Sequence, residues 1–339
     1  MKRILLLVMV LVALVALPVL ASQGQASDTN PDWMLGFLVG GMVINAANIS
    51  AMFKSFNTIF NAAVAAATPQ YPKIAMIVPS TTRSNNYAWM AALPKMREWI
   101  GDRFIKNLKV FIYEILNKTW ESTVRVPRED VEDDQYSVFG NVVQAYALTG
   151  AAHPDELVFG LLNNAFTTGL SYDGYAFCSA SHASGSNKGV AVLSDTNYAA
   201  ARAVLRAVKD DAGKPIYTGS EKITLVVGAA LEGTAKKILV AENISVTGGS
   251  TETNIWKGSA ELLISPLITS ATAWFLLVEF NGLKALVFQK RRELKFTQIT
   301  DPDSPEVFKT NSFDYGIDAR YNAGYGLHQL CYGSTGAGA

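Results

Sequence analysis

The chain has 339 residues, with 29 Lys+Arg against 29 Asp+Glu, 49% hydrophobic and 17% charged side chains. So much apolar surface can offset backbone entropy, which excludes a disordered chain, and 26 Gly with 12 Pro in no fixed period exclude a collagenous one. Zero net charge excludes a dedicated nucleic-acid binder, because affinity for phosphate rests on a basic excess that displaces counterions, so any DNA contact is expected to be weak and without sequence specificity.

Residues 1–41 differ from the rest. Lys2-Arg3, the apolar run Ile4 to Leu20 and the small-residue ending Val19-Leu20-Ala21 have the order of a secretory signal. Membrane contact is expected only if this stretch is genuine. Composition shifts at Met42, where a boundary is placed. From Asn48 to Ala67, Ile49, Met52, Phe53, Phe56 and Phe60 follow helical spacing and predict an amphipathic arm, and Ile74 to Val78 predict a strand closed by Pro79.

Residues 95–134 carry 8 basic and 9 acidic side chains in 40 positions, interleaved with Trp99, Phe104, Ile105, Phe111 and Trp120. Such a segment cannot lie in a core, and the alternation from Thr119 to Val126 has the period of a strand. A long, projecting two-stranded arm is expected. An isolated hairpin is marginal in water, so the arm calls for a partner surface, and mixed charges with aromatics suit a protein.

The acidic run Glu129 to Asp134 lacks calcium-loop spacing and is expected to open a helix, carrying Val138, Val142 and Tyr146. His153-Pro154-Asp155-Glu156 is expected to restart it after Gly150, with Leu157, Leu161 and Leu162 on its apolar side. A Gly/Ser-rich loop (171–190), a helix (Ser194 to Lys209), a strand (Ile223 to Val227), a helix (Ala229 to Leu239) and a polar loop (Thr247 to Asn254) follow. Asn281-Gly282 between Trp274–Phe280 and Leu283–Gln289 predicts a type I′ hairpin, and Phe313 to Tyr332 is strand-like.

Chemistry-bearing motifs are sparse. Cys178 and Cys331 lack zinc-site spacing and are expected to be buried thiols. No two of His153, His182 and His328 share a metal-ligand spacing, and Cys178 with His182 lacks an orienting third group. Gly228 and Gly233 lack the Lys of a phosphate loop, Gly324-Tyr325-Gly326 lacks the third glycine of a dinucleotide fingerprint, and Lys290-Arg291-Arg292 is followed at once by Glu293. By elimination the chain is structural, with no catalytic residue, metal or cofactor expected.

Several blocks, in order, resemble the major head subunit family of Mu-like phages and prophages. They are Lys73-Ile74-Ala75-Met76, Ser80 to Trp89, Arg97-Glu98-Trp99-Ile100-Gly101-Asp102-Arg103, Asn117 to Glu121, and Arg128 to Asp134. His153 to Leu157, Tyr172-Asp173-Gly174, Phe288 to Arg292, Tyr315 to Arg320 and Gly324-Tyr325-Gly326 continue the resemblance. Family members begin with a stretch like Met42 to Ile49, so Met42 is expected to be the true start, with 1–41 an extension.

The resemblance implies an α+β chain with the Hong Kong 97 phage-type major capsid fold: an N-terminal arm, an extended β-hairpin loop, a peripheral domain with a long spine helix, and an axial domain. Mapped onto this chain, these are 42–94 for the arm and first strand, 95–128 for the extended loop, 129–189 for the peripheral domain, 190–275 for the axial domain and 276–339 for returning strands. The spine helix would run from Ser137 to Phe166 with a break. The implied partners are further copies of the chain in hexamers and pentamers of an icosahedral shell around double-stranded DNA, together with scaffold and portal proteins. The implied location is the virion, with assembly in the host cytoplasm. Candidate assembly contacts are Arg97, Glu98, Trp99, Asp102, Arg103, Lys106, Trp120, Glu121, Arg125, Lys290, Arg291 and Arg292. Reversing Arg103 and Arg125 to Glu is expected to lower assembly while leaving the monomer folded. The alternatives are an encapsulin-like compartment shell and a protein exported by residues 1–21.

Overall fold

A computed structural model describes residues 46–90, 110–133, 136–209, 216–217, 219, 221–245, 251–301 and 303–338. The chain enters on helix α1 (Ala46–Ala66). Ile49, Met52, Phe56, Phe60 and Ala63 are buried, the one-sided stripe that helical spacing predicts. After a 3-10 turn at Tyr71–Lys73 come β1 (Ala75–Pro79), β2 (Ser84–Met90), β3 (Val110–Leu116) and β4 (Lys118–Pro127). A short helix α2 (Arg128–Glu132), with Glu129 and Asp130 in its first turn, precedes the 28-residue helix α3 (Tyr136–Asn163).

The expected break in α3 is absent, and the helix runs on through Pro154. Proline removes one backbone donor. The neighbouring Asp155 is held from outside the helix, its carboxylate accepting the backbone N–H groups of Gln70 at 3.0 Å and Tyr71 at 2.6 Å.

The chain continues through β5 (Lys188–Gly189), α4 (Asp195–Ala207), β6 (Lys222–Val227), a 3-10 turn (Ala229–Leu231) and α5 (Glu232–Leu239). Then follow β7 (Asn243–Ser245), β8 (Thr251–Thr253), β9 (Glu261–Ile264), β10 (Trp274–Glu279), β11 (Leu286–Ile299), α6 (Pro305–Thr310) and β12 (Ser312–Tyr325). A 3-10 turn (His328–Leu330) leads into β13 (Cys331–Ser334). The polar loop expected at 247–254 therefore contains β8, paired antiparallel with β7.

Among the described residues the strands form a four-stranded sheet in the order β1-β11-β12-β4, a five-stranded sheet in the order β5-β13-β10-β6-β9, and two ribbons, β2-β3 and β7-β8. The Asn281-Gly282 turn forms as its sequence demands, with φ of 52° and 78° and reciprocal hydrogen bonds between Phe280 and Leu283 of 3.0 and 2.9 Å. The hairpin beyond it does not form. β10 pairs with β6 and β13, while β11 pairs with β1 and β12, so the turn carries the chain from one sheet to the other. All but the last residue of β10 and the first four residues of β11 are buried, and each segment satisfies its backbone in a separate sheet.

Two cores result. The larger includes Trp274, Phe275, Leu225, Phe177 and Phe159 around the five-stranded sheet, and reaches Phe288 and Tyr321 of the other. The smaller seats α1 on the four-stranded sheet, with Phe53 and Phe60 stacked on Phe296 at 5.5 and 5.1 Å between ring centres.

Candidate assembly surfaces

The projecting arm is assembled differently from expectation. Thr119–Val126 is a strand, but as part of β4 it pairs with β12 from Ser312↔Pro127 to Tyr321↔Lys118 and belongs to the four-stranded sheet. The ribbon is instead β2-β3, in register from Ser84↔Leu116 to Met90↔Val110. Strand periodicity specifies which side chains share a face, not which strand lies alongside. Here Trp120 and Val124 are half-buried and Val126 buried on one face, packed toward α3 and α1.

A polar clamp fixes the ribbon's base. Gln289 on β11 is fully buried, accepts the Tyr87 hydroxyl of β2 at 3.0 Å and donates to the Ile115 carbonyl of β3 at 3.2 Å. Asn117 donates to Ser80 Oγ at 2.8 Å and to the Thr82 carbonyl at 2.9 Å. Both ribbon strands are thereby tied to β11. Sequence reading gave Gln289 no role, since a buried polar side chain is recognisable only once its partners are brought in from distant segments.

Arg97, Glu98, Trp99, Asp102, Arg103 and Lys106 lie outside the described residues. Of the other candidates, Trp120 donates its indole N–H to the Tyr321 carbonyl at 3.0 Å and packs edge-on against His153, with ring centres 4.5 Å apart. Arg125 grips Asp314, its cross-strand partner, with bonds of 2.7 and 2.8 Å, and Glu306 lies 3.9 Å away. Hydrogen bonding to Arg125 holds the Asp314 carboxyl below its ordinary range. Arg292 pairs with Asp318, and Lys290 with Glu293 at 2.6 Å. Lys290 to Lys295 spans two register shifts against β12, so the basic stretch sits on an irregular strand. Glu121 and Arg291 remain exposed, and Glu121 accepts a hydrogen bond from Thr123 at 3.2 Å. Among the described candidates, Arg125, Lys290 and Arg292 are thus ion-paired within the chain, and Arg125 cannot be reversed without setting a carboxylate beside Asp314.

Trp120, Glu121, His153 and Glu156 also line a cavity of about 170 Å³ between α3 and the four-stranded sheet. Burial lowers the pKa of His153, and its Nδ1 lies 2.9 Å from the Tyr321 hydroxyl.

The fold also joins residues that sequence spacing separates. Asp173, His182 and His328 come together, with His182 Nδ1 2.6 Å from Asp173 Oδ2. The imidazoles stack 3.7 Å apart and 8° from parallel, so one ion cannot lie in both ring planes, where the nitrogen lone pairs point. His328 is engaged instead by Ser171 at 3.2 Å and Ser184 at 3.0 Å, and His182 Nε2 faces the Phe177 carbonyl at 3.3 Å. The cluster is a hydrogen-bonded joint between the 171–190 segment and the C-terminal 3-10 turn, and a poor metal cradle.

The family model of the Mu-like prophage major head subunit gpT matches residues 49–194, 183–268 and 269–337. The chain belongs to this family. It is 31% identical over 288 residues to the Mu-like prophage FluMu major head subunit of Haemophilus influenzae, covering 85% of this chain and 73% of that one. To the major capsid protein of Escherichia phage Mu it is 29% identical over 295 residues, covering 87% and 76%. Among solved structures, the procapsid of bacteriophage JBD30 matches with a TM-score of 0.53 at 33% identity, over 86% of this chain and 76% of that one. A virus-like particle from Pyrococcus furiosus matches at a TM-score of 0.50 and 9% identity, covering 83% and 98%, which shows the fold alone. This Mu-like head subunit therefore has the α+β Hong Kong 97-type capsid fold, and it is a structural shell protein of the virion. The relatives favour that reading over the compartment-shell and exported alternatives.

Proposed function

We propose that the chain assembles with copies of itself into hexamers and pentamers of a closed icosahedral shell around double-stranded DNA. The observation that carries this reading is the β2-β3 ribbon, which among the described residues pairs with neither large sheet as a strand yet is clamped at its root by Gln289. A ribbon held at one end and lacking a third strand gains stability when its outer part lies on another subunit. Residues 91–109, which join its strands, hold Lys95, Arg97, Arg103, Lys106 and Lys109 against Glu98 and Asp102, with Trp99 and Phe104 between them. Contacts of this kind are individually worth about 0–1 kcal/mol at a surface, but they sum over a closed lattice.

In this scheme β2-β3 with its connection is the extended loop, α3 the spine helix, and roughly 190–275 the axial domain. The chain acts without catalysis, assembles in the host cytoplasm with scaffold and portal proteins, and touches DNA weakly, in keeping with its zero net charge. Replacing residues 92–108 by a short Gly/Ser turn tests the role of the ribbon. The expected outcome is a subunit with the melting temperature of the parent and no shells by sedimentation. Shells in normal yield would overturn the ribbon's part in assembly, and a parent chain that forms no shells under the same conditions would overturn the shell itself.

A further inference from the structure

Cys178 and Cys331 are the chain's two cysteines, 153 positions apart, yet their sulfurs lie 3.7 Å from each other in a fully buried site. Both are free thiols. Cys178 closes a turn, donating its N–H to the Ala165 carbonyl at 2.8 Å, and Cys331 opens β13, paired with Leu277 of β10. Gly333 permits the approach, because a Cβ there would stand 2.6 Å from Cys178 Sγ. The sulfurs need to close by only about 1.7 Å to reach bonding distance.

We propose that Cys178 and Cys331 form a redox-closable intrachain staple, which becomes a disulfide when the assembled head leaves a reducing cytoplasm for an oxidising medium. The timing rests on the head-subunit reading, whereas the chemistry rests on the sulfur pair alone. The oxidant is a low-molecular-weight disulfide such as glutathione disulfide. One cysteine thiolate attacks it and expels a glutathione thiolate, leaving a mixed disulfide. The second cysteine thiolate attacks the sulfur of its partner and expels the other glutathione. Two S–H bonds and one S–S bond become one S–S bond and two S–H bonds, and two electrons pass from protein to glutathione.

Burial directs the pair toward this one product. No second chain can reach either sulfur, and burial together with the neighbouring thiol pushes the Cys331 thiol up, so exchange is slow and waits on local opening. The opening required is that of the joint beside it, where Asn187 donates to the His328 carbonyl at 3.1 Å and its own carbonyl accepts the Gly333 N–H at 3.0 Å. The disulfide makes covalent a junction otherwise held by hydrogen bonds, and the loop it closes is long, which favours a large effect on the unfolded state.

The test equilibrates the full chain for days in glutathione buffers from reducing to oxidising, then quenches with acid, alkylates in denaturant and measures intact mass. At the oxidising end both cysteines should escape alkylation, the mass should fall by about 2 Da, and the melting temperature should rise by about 5–10 °C. Cys331→Ser and Cys178→Ala should each retain a single thiol and lose the thermal shift. Two alkylated thiols at every potential, disulfide-linked dimers, or a crosslinked chain that melts no higher than the reduced one would overturn the staple. Sedimentation of the same samples separates the two ideas, since shells that stay reduced throughout sink the staple alone.

Discussion

Arg125 shows how a side chain's task depends on what the fold sets beside it. In the sequence it is one cation in a mixed-charge segment, while in the structure it is the fork that holds Asp314 across two strands. Arg125→Glu would place a third carboxylate beside Asp314 and Glu306, so the isolated subunit should melt measurably lower, and Arg291→Glu, on an exposed bulge, should leave melting unchanged. Equal melting of the two variants by calorimetry would contradict this. His328 gives a second residue-scale outcome. Burial first, and the nearby His182 second, lower its pKa to about 3 against Asp173, which raises it. The unfolded chain binds that proton near pH 6.5, so between about 6.5 and 3 the unfolded state carries a proton the folded state refuses. Stability therefore falls as pH drops through this window, by up to about 1.4 kcal/mol per pH unit from this group. Urea titrations should show a shallower acid-side slope for His328→Gln than for the parent, and an equal slope would refute the assignment.

Elements were legible where one face or one turn decides them. The stripe from Ile49 to Phe60 gave α1, the Asn281-Gly282 pair gave its turn, and Thr119–Val126 gave a strand. Pairing was not legible, because period-2 alternation is the same for a ribbon strand and for the edge of a sheet, and because a type I′ turn governs only its own residues. Thus β4 joined β12 and β10 parted from β11. The same limit hid the candidate site: exposed charges could be read as surface, but the internal pairing of Arg125, Lys290 and Arg292 required strands 26 to 189 positions apart, or a bulge, to be placed first. Gln289 is the clearest case, a buried polar side chain whose partners come from both ribbon strands. Gln289→Leu should keep the sheets intact, remove the hydrogen bonds from β11 to the Tyr87 hydroxyl and the Ile115 carbonyl, and loosen the ribbon's root. The expected outcome is faster amide exchange confined to β2 and β3 with a lower shell yield, and exchange unchanged there would contradict the clamp.

At the scale of the whole molecule, two cores meet along the four-stranded sheet, and the ribbon is rooted on its interior strands β11 and β12. The described residues fold their hydrophobic surface inward around these sheets, and the sequence that connects the two ribbon strands, 91–109, is charged and carries aromatic residues. Large exposed apolar side chains are scattered, with Phe308 and Ile255 the most exposed, at 86% and 78%. They lie on separate segments, α6 and the loop after β8, and give separate points of contact. The measurement that bears most directly on shell formation is sedimentation and negative-stain microscopy of the full chain expressed in bacterial cytoplasm, alone and together with the proposed scaffold and portal proteins. Closed shells, tubes or five- and sixfold rings, with the ribbon lying on a neighbouring copy, are the predicted result. A chain that stays a monomer in both conditions, or particles in which each ribbon touches only its own subunit, would contradict it.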